Sequence, residues 1–347
     1  MRHQHAATNM RSAGRGTTLL ELLVAMSIFS IISFLFMTTY LDMGRQVDSL
    51  ESMNRLASTG QTAINVIKDE LLQAKEVFSN DARGNSYLAV VDFGARAPLS
   101  DSRLPDIRPL GSISPSDLVF DPNAVGNMVF FVKTMAPIWL HLPTTDTWRV
   151  VNAYKFVCCY LSIDLSPQAT GLPGTPGRLD LWWWESQRYA DHLEMSDLLA
   201  GLAEDEDIIS VVEQLYAVQL ERTWDSNADV AVAFHTVSLL EEPYVFEGPL
   251  LQIELYDCRS LLTQLHGMDP SVSSSVAFNN LATTMESDMV PRFTNVNNDF
   301  PGGFEVIGAG VQASRRIYLR LVTAVWYEQT QTLMSRESIT LVSPGIR

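Results

Sequence analysis

Apolar positions follow different rules in successive parts of the chain. From Leu22 to Tyr40, Leu, Ile, Val, Phe and Met are almost unbroken, and ~20 apolar residues are what a helix needs to cross the hydrocarbon core of a bilayer. Further on, Leu50, Met53, Ala57, Gly60, Ile64, Ile67, Leu71, Ala74 and Phe78 recur at alternating steps of three and four, one stripe of an amphipathic helix. Small Ala57 and Gly60 in that seam favour close packing against a sheet over a solitary coiled coil. The two patterns predict one helix, membrane-spanning over 17–40 and amphipathic over 41–78.

Beyond residue 79 the period changes. Ser79 to Ser116 is rich in Pro, Gly, Asp and Ser and reads as a connecting loop with one strand, Tyr87 to Phe93. Asp117 to Phe120, Asn127 to Met135, Val150 to Ile163 and Arg178 to Glu185 are short β-branched and aromatic runs between turn-forming clusters, the signature of antiparallel strands. Asp191 to Asp207 reads as helical. Ile208 to Trp224, with a helical start as the open alternative, and Leu250 to Asp257 read as strands. Ser, Asn, Thr and Gly then dominate an excursion from the sheet at about 260–305, because loops of that length carry little regular structure. Arg315 to Glu328 and Glu337 to Val342 predict a closing hairpin. The fold class expected is therefore α+β, a long N-terminal helix packed on an antiparallel β-sheet domain over 79–347.

One residue in the apolar run calls for explanation. Glu21 sits near its head, where a carboxylate in lipid costs on the order of 2.5 to 3.5 kcal/mol unless it finds a partner. Gly16, followed by Thr17, Thr18, Leu19, Leu20, Glu21 and the long apolar helix, resembles the N-terminus of type IV pilins and type II secretion pseudopilins. The resemblance implies a prepilin leader at 1–16, cleavage by prepilin peptidase between Gly16 and Thr17, and N-methylation at Thr17. It also implies an assembly role for Glu21, which would neutralise the terminal amine of a neighbouring subunit. Thr17 stands where the family usually has Phe, and Thr38 or Gly44 where major pilins are kinked by proline. These departures and the 347-residue length resemble minor subunits, the J-type pseudopilins or W-type minor pilins, and imply a pilin-like fold. Partners implied are other pilins or pseudopilins and an inner-membrane assembly platform. The competing explanation, a secretory signal, fits less well, since its apolar region is ~7 to 15 residues and ends in a small-residue cleavage site that is missing here.

Charge narrows the function classes. The net charge is −16, and removal of Arg2, Arg11 and Arg15 with the leader leaves 21 basic against 40 acidic residues, a net of −19. Nucleic acid is disfavoured as a direct ligand, because phosphate binding requires clustered Lys and Arg. The leader arginines predict a cytoplasmic N-terminus with the large domain outside; in a diderm bacterium, as the pilin resemblance implies, that means a single inner-membrane pass and a periplasmic C-terminal domain.

Candidate chemistry is sparse. A disulfide between Cys258 and either Cys158 or Cys159 is allowed in an oxidising compartment if their strands are neighbours; adjacent strand residues face opposite ways, so only one of the pair is eligible. Trp182, Trp183 and Trp184 should alternate faces, sending at least one away from the main core, with core packing weighed above a protein contact site. No cofactor or metal is implied. Calcium is weighed at the acidic run Glu204, Asp205, Glu206 and Asp207, and at Asn295, Asn297, Asn298, Asp299 and Glu305. A solvated helix face in the first case and turn formation in the second explain the residues better. The histidines lack metal-ligand spacing, and no G-x-S-x-G, Walker loop, H-E-x-x-H or C-x-x-C occurs, so nothing points to an enzyme. Two readings compete: a structural filament subunit processed by prepilin peptidase, and a membrane-tethered periplasmic binding protein or enzyme whose anchor only resembles a prepilin.

Overall fold

The computed structural model describes residues 18–100, 102–108, 124–164, 178–202, 204–229, 231, 234–237, 246–249, 252–262, 275–276, 303–310, 315–327 and 332–345. It is an α+β protein, a long apolar N-terminal helix and a mostly β domain with mixed sheets. Two compact units separate at residue 51. Of the first, the described part is helical, the opening portion of α1 (Leu19–Leu71). The helix runs through Thr38 and Gly44 without a break. It is the one helix among the described residues long and apolar enough to span a membrane.

In the second unit α1 buries Leu56, Thr59, Gly60, Ala63, Ile64, Ile67 and Leu71. Gly60, Ile64, Ile67 and Leu71 lie where the periodicity puts them. The stripe is wider than expected and starts later, since Leu50 is exposed. At Gly60 a Cβ would come within 2.8 Å of the Ser338 hydroxyl, so the missing side chain is what admits this close approach. The helix ends at Leu71 rather than Phe78, and Ala74–Val77 is strand β1. Pairing of β1 with β3 (Met128–Thr134) overrides the helical periodicity, a case of tertiary contacts outweighing a weak local preference.

The main sheet runs β1-β3-β6-β7-β8-β9-β10, with β11 also paired to β7. Its later members are β6 (Ala153–Asp164), β7 (Arg178–Asp191), β8 (Arg222–Trp224), β9 (Phe234–Val237), β10 (Phe246–Pro249) and β11 (Leu255–Ser260). A second sheet has the order β12-β14-β13-β2, with β15 on β14. It comprises β2 (Ile107–Arg108), β12 (Ser275–Val276), β13 (Phe304–Ala309), β14 (Arg316–Tyr327) and β15 (Thr332–Val342). The closing hairpin β14–β15 appears as the alternation predicts. The sheets are not purely antiparallel: β7 with β8 and β13 with β2 are parallel pairs.

One core joins Ile64, Ile67 and Leu71 of α1 to Val129, Phe131, Val157 and Trp183 of the main sheet and to Val306, Leu319 and Leu321 of the second. The opposite face of the main sheet is buried as well. Phe130, Phe156, Tyr160 and Trp184 pack there under Phe78, Tyr87 and Trp224. The triple tryptophan divides between the two faces: Trp183 and Trp184 are fully buried on opposite sides, and Trp182 is partly buried with the Arg96 guanidinium 5.0 Å from its ring.

Tyr87 to Phe93, expected as a strand, is not one: Tyr87, Leu88 and Ala89 close a helix, and beyond them only Val91 makes an isolated bridge, to Ile253. Asp81 caps α2 (Ala82–Ala89), its carboxylate accepting from Gly84 N at 2.7 Å, and a capping carboxylate suffices to start a short helix. A Cβ at Gly84 would fall 2.0 Å from the Ser79 carbonyl, so only glycine fits this turn. The run Val150 to Ile163 divides at Asn152, whose amide and backbone N–H both donate to Glu194. This leaves a separate hairpin, β4 (Ile138–Leu142) and β5 (Thr147–Val151). Its inner face packs on α3 (His192–Gly201) and α4 (Asp205–Ala217). Most of Ile208 to Trp224 is thus helix and only its end is strand. The expected strand at Asp117 to Phe120 and most of the excursion at 260–305 lie outside the described residues.

Candidate functional site at the head of the long helix

The first turn of α1 explains how Glu21 is tolerated in an apolar segment. The Thr18 backbone N–H donates to Glu21 Oε2 at 2.9 Å, and the Glu21 N–H donates to Thr18 Oγ1 at 3.3 Å. This reciprocal capping box satisfies two of the donors a helix start leaves open, and the carboxylate is also favourable at the positive end of the helix dipole. Gly16 and Thr17 lie outside the described residues.

Farther along, the hydroxyls in the run return to their own helix. Ser27 donates to Leu23 O and Ser30 to Met26 O, both at 2.8 Å, and Thr38 and Thr39 donate to Leu35 O. A segment placed in hydrocarbon must satisfy its polar groups internally, and these do. From Leu19 to Leu50 every apolar side chain is exposed among the described residues.

The remaining candidates do not assemble into a site. The three cysteines are free thiols. Cys158 lies opposite Trp184 across one edge of β7, and Cys258 lies opposite the same Trp184 across the other. With β7 between them their backbones are two strand spacings apart, about 9.6 Å, beyond the ~7 Å that a disulfide spans. The bridge that neighbouring strands would have allowed is not made, because β7 lies between the two strands. Burial pushes the Cys158 and Cys159 thiols up, the opposite of what a reactive thiolate needs.

In the acidic run, Glu204, Asp205 and Glu206 are exposed around the first turn of α4, where acids suit the dipole. Asp207 departs from the solvated face expected: it is buried, and its Oδ1 accepts from Thr144 N at 2.8 Å, holding the β4–β5 turn. Glu305, considered as a calcium donor, is fully buried and ion-paired with Arg320 Nη1 at 3.0 Å. Asn295, Asn297, Asn298 and Asp299 lie outside the described residues. No group of His, Cys, Asp and Glu among the described residues is disposed to hold a metal.

Two features escaped the sequence patterns. Trp139 and Trp148 are each 60% exposed on the outer face of the β4–β5 hairpin, where His141 faces Trp148 across the register. The second is a chain of charges. Lys133 bonds Glu70 at 2.8 Å and Glu185 at 3.0 Å, and Glu185 bonds Lys155 at 2.9 Å. Burial pushes the Glu185 carboxyl up, and hydrogen bonds from Lys155, Trp183 and Lys133 outweigh that and hold it at about 2. Neither feature is visible without the strand register. No protein-family model, curated protein or solved structure matches the chain.

Proposed function

We propose that the chain is a minor pilin or pseudopilin, a structural subunit of a type II secretion pseudopilus or type IV pilus. In this reading prepilin peptidase cuts between Gly16 and Thr17, and the freed amine at Thr17, a candidate for methylation, is drawn into register by Glu21 of a neighbouring subunit. The apolar helices then bundle, and the inner membrane stores the precursor with its C-terminal domain in the periplasm. The observation that carries the reading is the apolar half of α1, exposed among the described residues and headed by an acid in register with a glycine. Surface of that kind demands lipid or other helices.

The capping box offers a rival explanation for Glu21, and chemistry separates the two. Glutamine can replace glutamate in a capping box but carries no charge. Glu21→Gln is expected to be cleaved and inserted like the wild type yet to fail in crosslinked co-assembly with partner pilins. Assembly at the wild-type level would reduce Glu21 to a helix cap. Incubation of the membrane-embedded full chain with prepilin peptidase is expected to yield a product beginning at Thr17, read by mass spectrometry. A chain that stays full length overturns the proposal in favour of a membrane-tethered binding protein or enzyme.

A further inference from the structure

Strand register places like charges side by side in the main sheet. Lys133 of β3 lies opposite Lys155 of β6, and Lys155 lies opposite Arg188 of β7. Cations directly opposite one another destabilise a sheet, so a row of three needs compensation. Glu70 and Glu185 compensate the first two. Arg188 is exposed and has no hydrogen bond or ion pair among the described residues. Among the described residues the row therefore ends in a guanidinium with no carboxylate beside it.

That guanidinium opens onto a cleft of about 580 Å³ lined by Lys155, Arg188, Arg222, Gln187, Gln219 and Glu221 together with Tyr216, Val218 and Tyr256. The volume falls within the range of small-molecule sites. On a chain of net charge −16, the lining holds three cations and a single carboxylate. Arg222 is held by Glu254 at 2.7 Å, and the Lys155 ammonium rests 4.4 Å from the centre of the Tyr256 ring. Tyr216, Val218 and Tyr256 stay substantially exposed, leaving apolar surface beside the charges.

Three backbone irregularities converge here. The β6–β7 register slips between Lys155 and Val157, placing Ser186 and Gln187 of β7 against Phe156 alone. The β11–β7 register slips at Tyr256. Bulges of this kind re-aim side chains and are enriched beside functional sites. The third is Gln219, at φ 54°. It closes α4 in a Schellman turn, with Leu220 N donating to Leu215 O and Gln219 N to Tyr216 O. Glycine holds that position at lower cost, yet here a long amide side chain stands on the cleft wall. Between the stretch of β7 paired to β11 and the stretch paired to β8, residues 187–189 have no strand partner on that edge among the described residues, and the Gln187 amide donates to Glu254 Oε2 at 3.4 Å.

We propose that this cleft binds a small organic anion, with Arg188 as the principal contact to its carboxylate or phosphate and Tyr216, Val218 and Tyr256 against its apolar body. A planar guanidinium matches both head groups through paired hydrogen bonds, and Lys155 and Arg222, held in place by Glu185 and Glu254, flank it with further N–H groups.

The test uses the full chain in detergent micelles, ligand-observed NMR with empty micelles subtracted, and three probes: benzoate, phenyl phosphate and the neutral benzamide. Saturable binding of benzoate or phenyl phosphate but not of benzamide is expected, and the stronger of the two identifies the head group. Arg188→Gln should weaken that binding at least about tenfold, the loss of one charge-assisted contact, while the thermal midpoint stays level or rises as the like-charge row shortens. Benzamide binding equal to the anions, no binding of any probe, or unchanged anion affinity in a cooperatively folded Arg188→Gln chain would each overturn the proposal.

Discussion

Two stretches of α1 obey opposite rules although they share one helix. Up to Leu50 apolar side chains point in every direction and all are exposed. From Leu56 a single side is buried, against both sheets of the domain. Isoleucine therefore means different things in the two places. Ile28, Ile31 and Ile32 are more than half exposed, while Ile64 and Ile67 are fully buried. Hydrophobicity in the first stretch is compatible with a membrane span and meets no buried partner among the described residues, and in the second it specifies a partner within the domain. Substitutions that stabilise or destabilise the domain should accordingly be confined to the second.

The largest effect should come from the buried charges behind that packed side. Glu305→Ala leaves the Arg320 guanidinium, only 2% exposed, with Glu337 as its remaining carboxylate partner. Breaking a buried pair on one side is expected to cost about 3 to 5 kcal/mol, measured by urea unfolding of the domain signal. Ile64→Ala follows, at about 2 to 4 kcal/mol for a filled site turned into a cavity. Its counterpart Leu35→Ala should leave the same unfolding curve unmoved in micelles, and a matching loss there would break the contrast between the two stretches.

Acid provides a third probe. Glu185 is held at about 2 in the folded domain, below the ordinary carboxylate value, so it adds stability above that ordinary value, and the contribution drains away as pH falls from ~4.5 toward ~2. The expected loss is on the order of 2 to 3 kcal/mol. Glu185→Gln should flatten the pH dependence of the unfolding midpoint over that interval, and an unchanged slope would remove Glu185 from the account. The smallest change is Gln219→Gly, expected to stabilise the domain by about 0.5 to 1 kcal/mol by relieving a left-handed backbone. A rise in the thermal midpoint of a few degrees checks it.

Where the pattern was legible, one element could satisfy it alone. The apolar run, the seam through Gly60, Ile64, Ile67 and Leu71, the β-branched and aromatic runs that become β3 and β7, and the imperfect alternation of β14 each declare themselves locally. Where it was not, a distant segment intervened. Ala74 and Phe78 continue the helical period, but pairing with β3 turns the first into strand and the second into core of the opposite sheet face. Asp81 was a readable cap signal ahead of α2, obscured by the β-prone Tyr87 to Phe93. The tryptophan block could not be assigned a side because both faces of the main sheet are covered, a condition set by α1 on one face and by α2 and its neighbours on the other.

The sequence by itself determined that this chain carries an apolar helix long enough for a bilayer, with a single acid at its head, followed by a β-rich body, because spacing along one helix or strand is a property of adjacent residues. Only the tertiary structure decided which residues meet across strands. It set Cys158 and Cys258 on opposite sides of β7, aligned Lys133, Lys155 and Arg188, and brought Glu185 between two lysines. Register joins segments distant in the chain, and a shift of one residue would send every one of these side chains to the other face.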